Sequence, residues 1–286
     1  MTKNTNLQET IFGIEIELTV PCSKAEELNL RIGNYHHGIQ VPFLPNGWTA
    51  ERDGSIQANG NRYGVEIVSP KLHGAEGLRQ VLEVVDILRK HDFRPNSSTG
   101  IHVSVFWDRE NSSELLSKLI SCTAYLEKGI YATTGTKRRE RGHYCAGIQK
   151  YGNPKQAKEN MDRSRYTLLN LTNLQYGCDR VEFRAFSGSL NKVKIAGWIQ
   201  LCLGIVCRAL ETKRLPLWNP KPATGGWKKK GPGASETERI FGFLGRGNGY
   251  ARLKGGKSYG WLSDIISQDA VKKEFRRLAK KYDAEV

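Results

Sequence analysis

Between Phe12 and Leu18 the chain alternates without a break: Phe12, Ile14, Ile16 and Leu18 are apolar, and Gly13, Glu15 and Glu17 stand between them. A period of two marks a strand whose successive side chains point to opposite faces of a sheet. One face must be covered by a hydrophobic layer. The other carries two carboxylates one pleat repeat apart, roughly 6–7 Å between Cα atoms. Like charges this close either stand in water or gather a cation between them. A hard divalent ion such as Mg²⁺, which takes oxygen ligands, fits the second case.

The pattern recurs. In residues 62–68, Val65 and Ile67 share one face and Glu66 lies on the other; in 99–107, Ile101, Val103 and Val105 oppose His102, Ser104 and Phe106. In 179–186, Val181, Phe183 and Ala185 oppose Glu182, Arg184 and Phe186. Shorter strands are predicted over 48–51, ending in the turn Arg52-Asp53-Gly54-Ser55, and over 166–174. Helical spacing of Leu78, Val81, Leu82, Val85 and Leu88 predicts a helix over 75–91. Others are expected over 113–130 (capped by Ser112 or Ser113), 191–210, 235–244 and 268–282. Residues 21–47 read as a loop-rich insertion with at most a short helix near 24–31, and 133–165 as a polar loop with little regular structure. The mixture implies an α+β fold: a mainly antiparallel sheet, helices packed on one face, the other face open. Pro and Gly between 216 and 233 mark a linker. They divide a domain over 9–212 from a basic, Gly/Pro-rich C-terminal extension with short helices over 213–286.

Register then decides what the open face holds. If all four apolar faces pack under helices, Glu15, Glu17, Glu66, His102, Glu182 and Arg184 meet on one surface, with Asp53 and Ser55 at a nearby turn. Four carboxylates without a cation would have strongly raised pKa values. Two Mg²⁺ ions would balance them and suit a nucleotide triphosphate. Arg184, on the same face as Glu182, could neutralise a phosphoryl group in transfer. No GxGxxG or GxxxxGK[ST] loop follows a strand, and the Gly-rich stretches 245–249 and 255–258 are expected to be flexible loops.

Formal net charge is +15, and residues 213–286 contribute 17 Lys or Arg against 7 Asp or Glu. A second basic cluster is Lys137-Arg138-Arg139-Glu140-Arg141. This charge serves either as a solubilising surface or as attraction for an anionic partner, ATP phosphates and polynucleotides alike. The six cysteines form no CxxC pair and are expected to be reduced and structural. No apolar run approaches the roughly 20 residues of a membrane helix, and the polar start lacks a targeting core, so a cytoplasmic protein without membrane contact is expected.

Six ordered segments resemble the motifs of the amidoligase family, within the glutamine synthetase-like carboxylate–amine ligases. They are Phe12 to Glu17, Trp48 with Asp53-Gly54-Ser55, Val65 to Pro70, Ser98 to Val103, Arg165-Tyr166 through Asn173, and Val181 to Asn191. The resemblance covers about residues 11 to 210. It implies a glutamine synthetase-like catalytic domain that binds ATP and Mg²⁺ (or Mn²⁺). Such an enzyme phosphorylates a carboxylate on ATP and lets an amine attack the acyl phosphate. Carried over by position, Glu15, His102 and Glu182 resemble ligands of the metal that bridges the ATP phosphates, and Glu17 and Glu66 ligands of the metal on the acyl side. Arg184 resembles the arginine that stabilises the γ-phosphoryl group, Arg165 a second phosphate contact, and Asp53 and Ser55 residues lining the site. Relatives often carry His-Val-His where this chain has His102-Val103-Ser104, so any second imidazole role is lost. The extension over 213–286 lies outside the resemblance.

Besides the ligase reading, three alternatives stand. A phosphotransferase or a two-metal nuclease would use the same acidic face. A non-catalytic module would bind nucleic acid or protein through the basic extension. The carboxylate and amine substrates are open; a peptide or other macromolecule is among the candidates.

Overall fold

A computed structural model of the chain describes residues 7–219, 232–245 and 262–285. In chain order the first half contains β1 (Ile11–Pro21), α1 (Cys22–Glu27), β2 (Ile39–Gln40), β3 (Thr49–Glu51), β4 (Arg62–Val68), β5 (Leu72–His73) and α2 (Gly74–Lys90). Next come β6 (Gly100–Phe106), α3 (Ser113–Ala132), α4 (Arg138–Arg141), α5 (Pro154–Met161), β7 (Leu169–Asn170) and α6 (Thr172–Gln175). β8 (Arg180–Ser187), α7 (Lys192–Glu211), α8 (Pro232–Gly245) and α9 (Gln268–Ala284) follow. The strands form one sheet in the order β2-β3-β4-β1-β6-β8-β7, with β5 beside the start of β1. Every strand pairing is antiparallel.

β1 is central because it is the longest strand and its alternation is the most complete. Phe12, Ile14, Ile16 and Leu18 are buried together with Val65, Ile67, Ile101, Val103, Val105, Val181 and Phe183. Helices cover that side: α7 packs on β6, α3 on β8, and α2 on α7. Ser112 is the cap of α3, its hydroxyl accepting the Leu115 N–H at 3.4 Å, and Asn191 caps α7 through Val193 and Lys194. By length and composition α7 could cross a membrane, contrary to the expectation that no segment approaches this. Here it is a central core helix, 78% buried over its apolar window. Burial pushes the thiols of Cys122 on α3 and Cys207 on α7 up to about 12.

Within the extension, α8 packs on α3, and α9 on α8 and α7. Ile240, Leu244, Val271, Phe275 and Leu278 join the same hydrophobic core as the sheet. Of the Gly-rich stretches at 245–249 and 255–258 and the linker marked over 216–233, residues 246–249, 255–258 and 220–231 lie outside the described residues, while Pro232 and Gly233 open α8 and Gly245 ends it.

Four local expectations need correction. Residues 133–165 are not mainly loop: they hold α4, a 3-10 turn over Gln149–Tyr151, and α5. The start of α5 is legible in the sequence, since Asn153 caps it (accepting the Gln156 N–H at 3.0 Å) and Pro154 fills its first turn. The strand expected over 166–174 shrinks to Leu169–Asn170. Asn170 Oδ1 accepts the Thr172 N–H at 2.9 Å and turns the backbone into α6. The insertion over 21–47 is loop-rich with one short helix, as expected, but that helix lies over Cys22–Glu27 rather than near 24–31, and β2 is added to the edge of the sheet. Finally, Phe186 does not share a face with Glu182 and Arg184. Ile101 pairs with Phe186 and Val103 with Phe183, so β8 has one extra residue there. This bulge flips the alternation and turns Phe186 into the core, stacked on Trp198 of α7 with ring centroids 5.0 Å apart.

Candidate active site on the open face

Cross-strand register gathers the polar residues. Glu15 lies directly opposite His102 on β6, Glu17 opposite Glu66 on β4, and Glu66 in turn opposite Glu51 on β3. On the far side, Ser104 faces Glu182. The His102 ring is the hub. Its Nδ1 lies 3.0 Å from Glu15 Oε2 and 3.4 Å from Glu182 Oε1, and its Nε2 lies 3.3 Å from Glu17 Oε1. Glu66 Oε1 stands 3.8 Å from Nδ1. All of these except Glu15, which is part-exposed, are buried.

The carboxylates are not equivalent. Burial alone would raise Glu182, but the charges of Arg184 and His102 and hydrogen bonds from Asn170 and Arg184 overcome it and hold it below the usual range. Arg184 Nη1 donates to Glu182 Oε1 at 2.6 Å, and Asn170 Nδ2 to Oε2 at 2.6 Å. Glu66 has no such cation. Burial first, then the charges of Glu15, Glu17, Asp53 and Glu51, push it well above an ordinary carboxylate. Burial also raises Glu51, although a hydrogen bond with Glu66 and the charge of His36 oppose it. Glu17 is anchored instead by the backbone, its Oε2 accepting the Gly100 N–H at 2.5 Å.

Two groups of ligand atoms lie close enough for one cation each: Glu15, Glu66 and His102, and Glu17, Asp53 and Glu66. Glu66 belongs to both, and an uncompensated buried carboxylate shared by two such groups fits divalent metal. The family resemblance pairs Glu66 with Glu17 alone and makes Asp53 a lining residue; geometry brings Asp53 into the candidate ligand group. Ser55 is set apart: its N–H donates to Asp53 Oδ1 at 2.6 Å, and it lines a cavity beside the metal groups. Arg165 sits at the mouth, its guanidinium carbon 5.4 Å from the Tyr35 ring centre and 5.5 Å from that of Tyr166, and it donates to Tyr35 Oη.

Two cavities open on the face, both touching Asp53, His102, Arg165 and Arg184. One, of about 340 Å³, runs over Glu17 toward Ser98 and Arg139. The other, of about 110 Å³, lies over Glu15, Glu66 and Glu182 and reaches Asn173 and Arg180. Buried donors without a protein partner surround them: Nε of Arg184, Arg180 and Arg139, and Nδ2 of Asn173. Such orphaned donors fit an anion of many oxygens, as a polyphosphate is.

Sequence reasoning missed Glu51, Asn170, Arg180 and Arg139 as parts of the site. Glu51 had a signal, being the last residue of a strand that could neighbour Glu66. Arg139 had none beyond its basic neighbours.

The sequence model of a family described as "Putative amidoligase enzyme" matches residues 8–163, more than half of the chain. The match takes in Glu15, Glu17, Asp53, Glu66 and His102, and stops before Glu182. No curated protein matches the chain. Among solved structures, similarity extends to the complex between the prokaryotic ubiquitin-like protein Pup and its ligase PafA. That match has 12% identity and a TM-score of 0.46, and covers 96% of this chain and 65% of that one. It extends also to GmaS without ligand, with 13% identity and a TM-score of 0.47, covering 97% of this chain and 70% of that one. The chain thus spans about two thirds of the length of these structures.

Proposed function

The chain belongs to the amidoligase family, ligases that join a carboxylate to an amine, and on that premise we propose that its open sheet face runs this reaction with ATP and Mg²⁺ (or Mn²⁺) through an acyl phosphate. One observation carries the proposal: Glu66, buried among four other carboxylates and shared by two groups of ligand atoms, is held far above its ordinary pKa in the absence of a cation. A site built this way is completed by divalent metal.

Glu15, His102 and Glu182 would hold the metal on the nucleotide side, with Glu66 in reach; Glu17, Asp53 and Glu66 would hold the one on the acyl side. Bound metal supplies charge neutralisation for the phosphate and carboxylate oxygens. In the first step a substrate carboxylate oxygen attacks the γ-phosphorus and ADP leaves. Arg184 faces the charge that develops on the transferring group, a buried cation already positioned by its ion pair with Glu182. In the second step the amine nitrogen attacks the acyl carbon and phosphate leaves. Arg165, clamped between two tyrosine rings at the mouth, is a phosphate contact, and Asp53 and Ser55 shape the turn beside the acyl group.

The carboxylate and amine substrates are carboxylate- and amine-bearing molecules whose size ranges up to a peptide or other macromolecule. The basic surface of the extension suits an anionic one. The test is release of ADP and phosphate that requires both a carboxylate and an amine. Calorimetry showing no nucleotide binding with Mg²⁺ present would sink the reading. A stable phosphorylated product formed without amine would make the protein a phosphotransferase, and phosphodiester cleavage without ATP a nuclease.

A further inference from the structure

The bulge in β8 takes Arg184 out of the ladder with β6. Ile101 pairs with Phe186 and Val103 with Phe183, so His102 stands opposite two residues, Arg184 and Ala185. The Arg184 N–H donates to the Leu168 carbonyl at 2.9 Å. The Arg184 carbonyl goes to a side chain: Arg139 Nη2 donates to it at 2.6 Å. The same guanidinium lies against Gly100 on β6, where an added Cβ would come within 2.9 Å of Nη2 and 3.1 Å of Nη1. Gly100 in turn donates its N–H to Glu17. One guanidinium therefore spans the start of β6 and the bulge of β8, the two backbone positions that aim Glu17 and Arg184.

Arg139 belongs to α4, a helix of four residues and too short to be stable by itself. It is fastened from both sides. After it, Cys145 Sγ donates to the Arg139 carbonyl at 3.0 Å, and the Cys145 carbonyl accepts from Tyr131 Oη at 2.6 Å. Before and along it, the fastening comes from α9. Glu285, which closes α9, accepts from Thr136 Oγ1 at 3.1 Å and from the Lys137 N–H at 2.9 Å. Tyr282 Oη donates to Glu140, whose other oxygen accepts from Lys128 at 2.7 Å. The Tyr282 ring is buried, with the ammonium groups of Lys128 and Lys137 at 5.8 and 5.9 Å from its centre. Gly135, at a φ of +75°, lets Leu278 of α9 come so close that an added Cβ would lie 2.7 Å from its Cδ2. Neither Tyr282 nor Glu285 bonds to a residue of the site itself.

Resting on the ligase reading above, we propose that Tyr282 and Glu285 of the extension are positioning residues for the reaction: by fixing α4 they keep Arg139 seated on Gly100 and on the β8 bulge, and so hold Glu17 and Arg184 in their working geometry. The extension is then a part of the active-site scaffold. A shift of about 1 Å at a reacting group, caused from a distance, costs up to about 100-fold in rate. The effect of α9 is therefore expected in turnover and metal binding, through Arg139, and not only in the stability of the fold.

The test uses the full chain and two variants, Tyr282→Phe, which keeps the buried ring, and Tyr282→Phe combined with Glu285→Ala. Arg276→Gln is the control: it breaks the pair of α9 with Glu238 on α8, at 2.6 and 3.1 Å, without touching the segment around Arg139. Thermal melts check that all are folded. The first readout needs no ligand. Amide hydrogen exchange, read by NMR on the metal-free protein, should quicken about tenfold at Gly100 and Arg184 in the double variant, and stay at the wild-type rate in Arg276→Gln. The second is calorimetry with Mg²⁺ alone, where the double variant should bind several-fold more weakly. In ligase turnover kcat should fall about 10- to 100-fold, with KM for ATP little changed, and Tyr282→Phe should show a smaller loss of the same kind. In an Arg139→Met background the α9 substitutions should add nothing further, since they act through that side chain. Wild-type exchange at Gly100 and Arg184 in the double variant, an equal response in Arg276→Gln, or full additivity with Arg139→Met would overturn the proposal. If exchange and Mg²⁺ binding respond as expected but no carboxylate and amine ever release ADP, the ligase reading fails and the bracing of the site by α9 stands.

Discussion

Glu182 and Glu66 flank His102 from opposite sides, both buried on the same sheet face, yet their charge is treated in opposite ways. On the β8 side Glu182 has its cation built in: Arg184 two residues along, with Asn170 from β7 completing the shell. On the β4 side Glu66 faces Glu17 and Glu51 across the ladders and no arginine or lysine pairs with it among the described residues. One half of the site is folded and neutral by itself. The other is assembled at an electrostatic cost that a bound metal ion would relieve, so under the proposed function the stronger metal response is expected on the β4 side. On the β8 side Arg184 and Asn170 already offset the burial of Glu182, so a metal there would add less to stability.

The comparison breaks most sharply at Glu66. Glu66→Gln removes the ligand shared by both metal groups, and loss of several kcal/mol of charge stabilisation should lower ligase turnover about a thousandfold. The same variant should make the metal-free protein more stable near neutral pH. The sign follows from linkage. Because the folded Glu66 pKa lies above the ordinary 4.5, its penalty is absent below 4.5, grows as pH rises through the interval up to the folded value, and is complete above it. Metal-free wild type should therefore lose stability as pH climbs through that interval, Mg²⁺ should restore it, and Glu66→Gln should flatten the profile. A wild-type profile with no Mg²⁺ response near neutral pH would contradict the metal-demanding side.

Arg184→Met tests the other half. It leaves Glu182 buried without its counter-charge, at about 3–5 kcal/mol in urea unfolding. Glu182 is held below 4.5, so its contribution is present above 4.5 and disappears as pH falls through the folded value; the deficit of the variant should shrink in acid. Asn170→Ala removes one charge-assisted bond to the same carboxylate and should cost about 2 kcal/mol. It should alter the Mg²⁺ response less than Glu66→Gln does. The smallest effect is expected at Glu51→Gln. Relieving one of the charges around Glu66 should stabilise the metal-free protein by about 0.5 kcal/mol and weaken its stabilisation by Mg²⁺ slightly, read by thermal melts at matched pH.

Much of the site is legible in the order of residues alone. Glu15, Glu17, Glu66, His102, Glu182 and Arg184 each sit between apolar neighbours in a strand, and that pattern is local. The loops are less legible. Asn170 ends its strand early by capping its own turn, and α4 and α5 form in a stretch whose polarity resembles a loop. The extension, conspicuous in the sequence for its charge, buries Ile240, Leu244, Phe275 and Leu278 against α3 and α7. The apolar spacing of α9 is visible in the sequence, but nothing in it names the surface it covers.

By itself, the sequence determined which side chains share a face wherever the strand is regular, because period-two alternation is a property of consecutive residues; the bulge that turns Phe186 inward was not visible in it. It also determined that those faces are acidic and carry one histidine and one arginine, a set that raised metal and phosphate chemistry as a candidate. Only the tertiary structure decided which carboxylates are neighbours, since pairing Glu17 with Glu66 and Glu15 with His102 depends on the register between strands distant in the chain. It alone decided that Glu182 is neutralised and Glu66 is not, because burial and charge act through space. It also decided where Arg139 stands: its guanidinium lies over a glycine on β6 and donates to a carbonyl on β8, while the end of α9 bonds to Thr136, Lys137 and Glu140 around it, and no local pattern links the three.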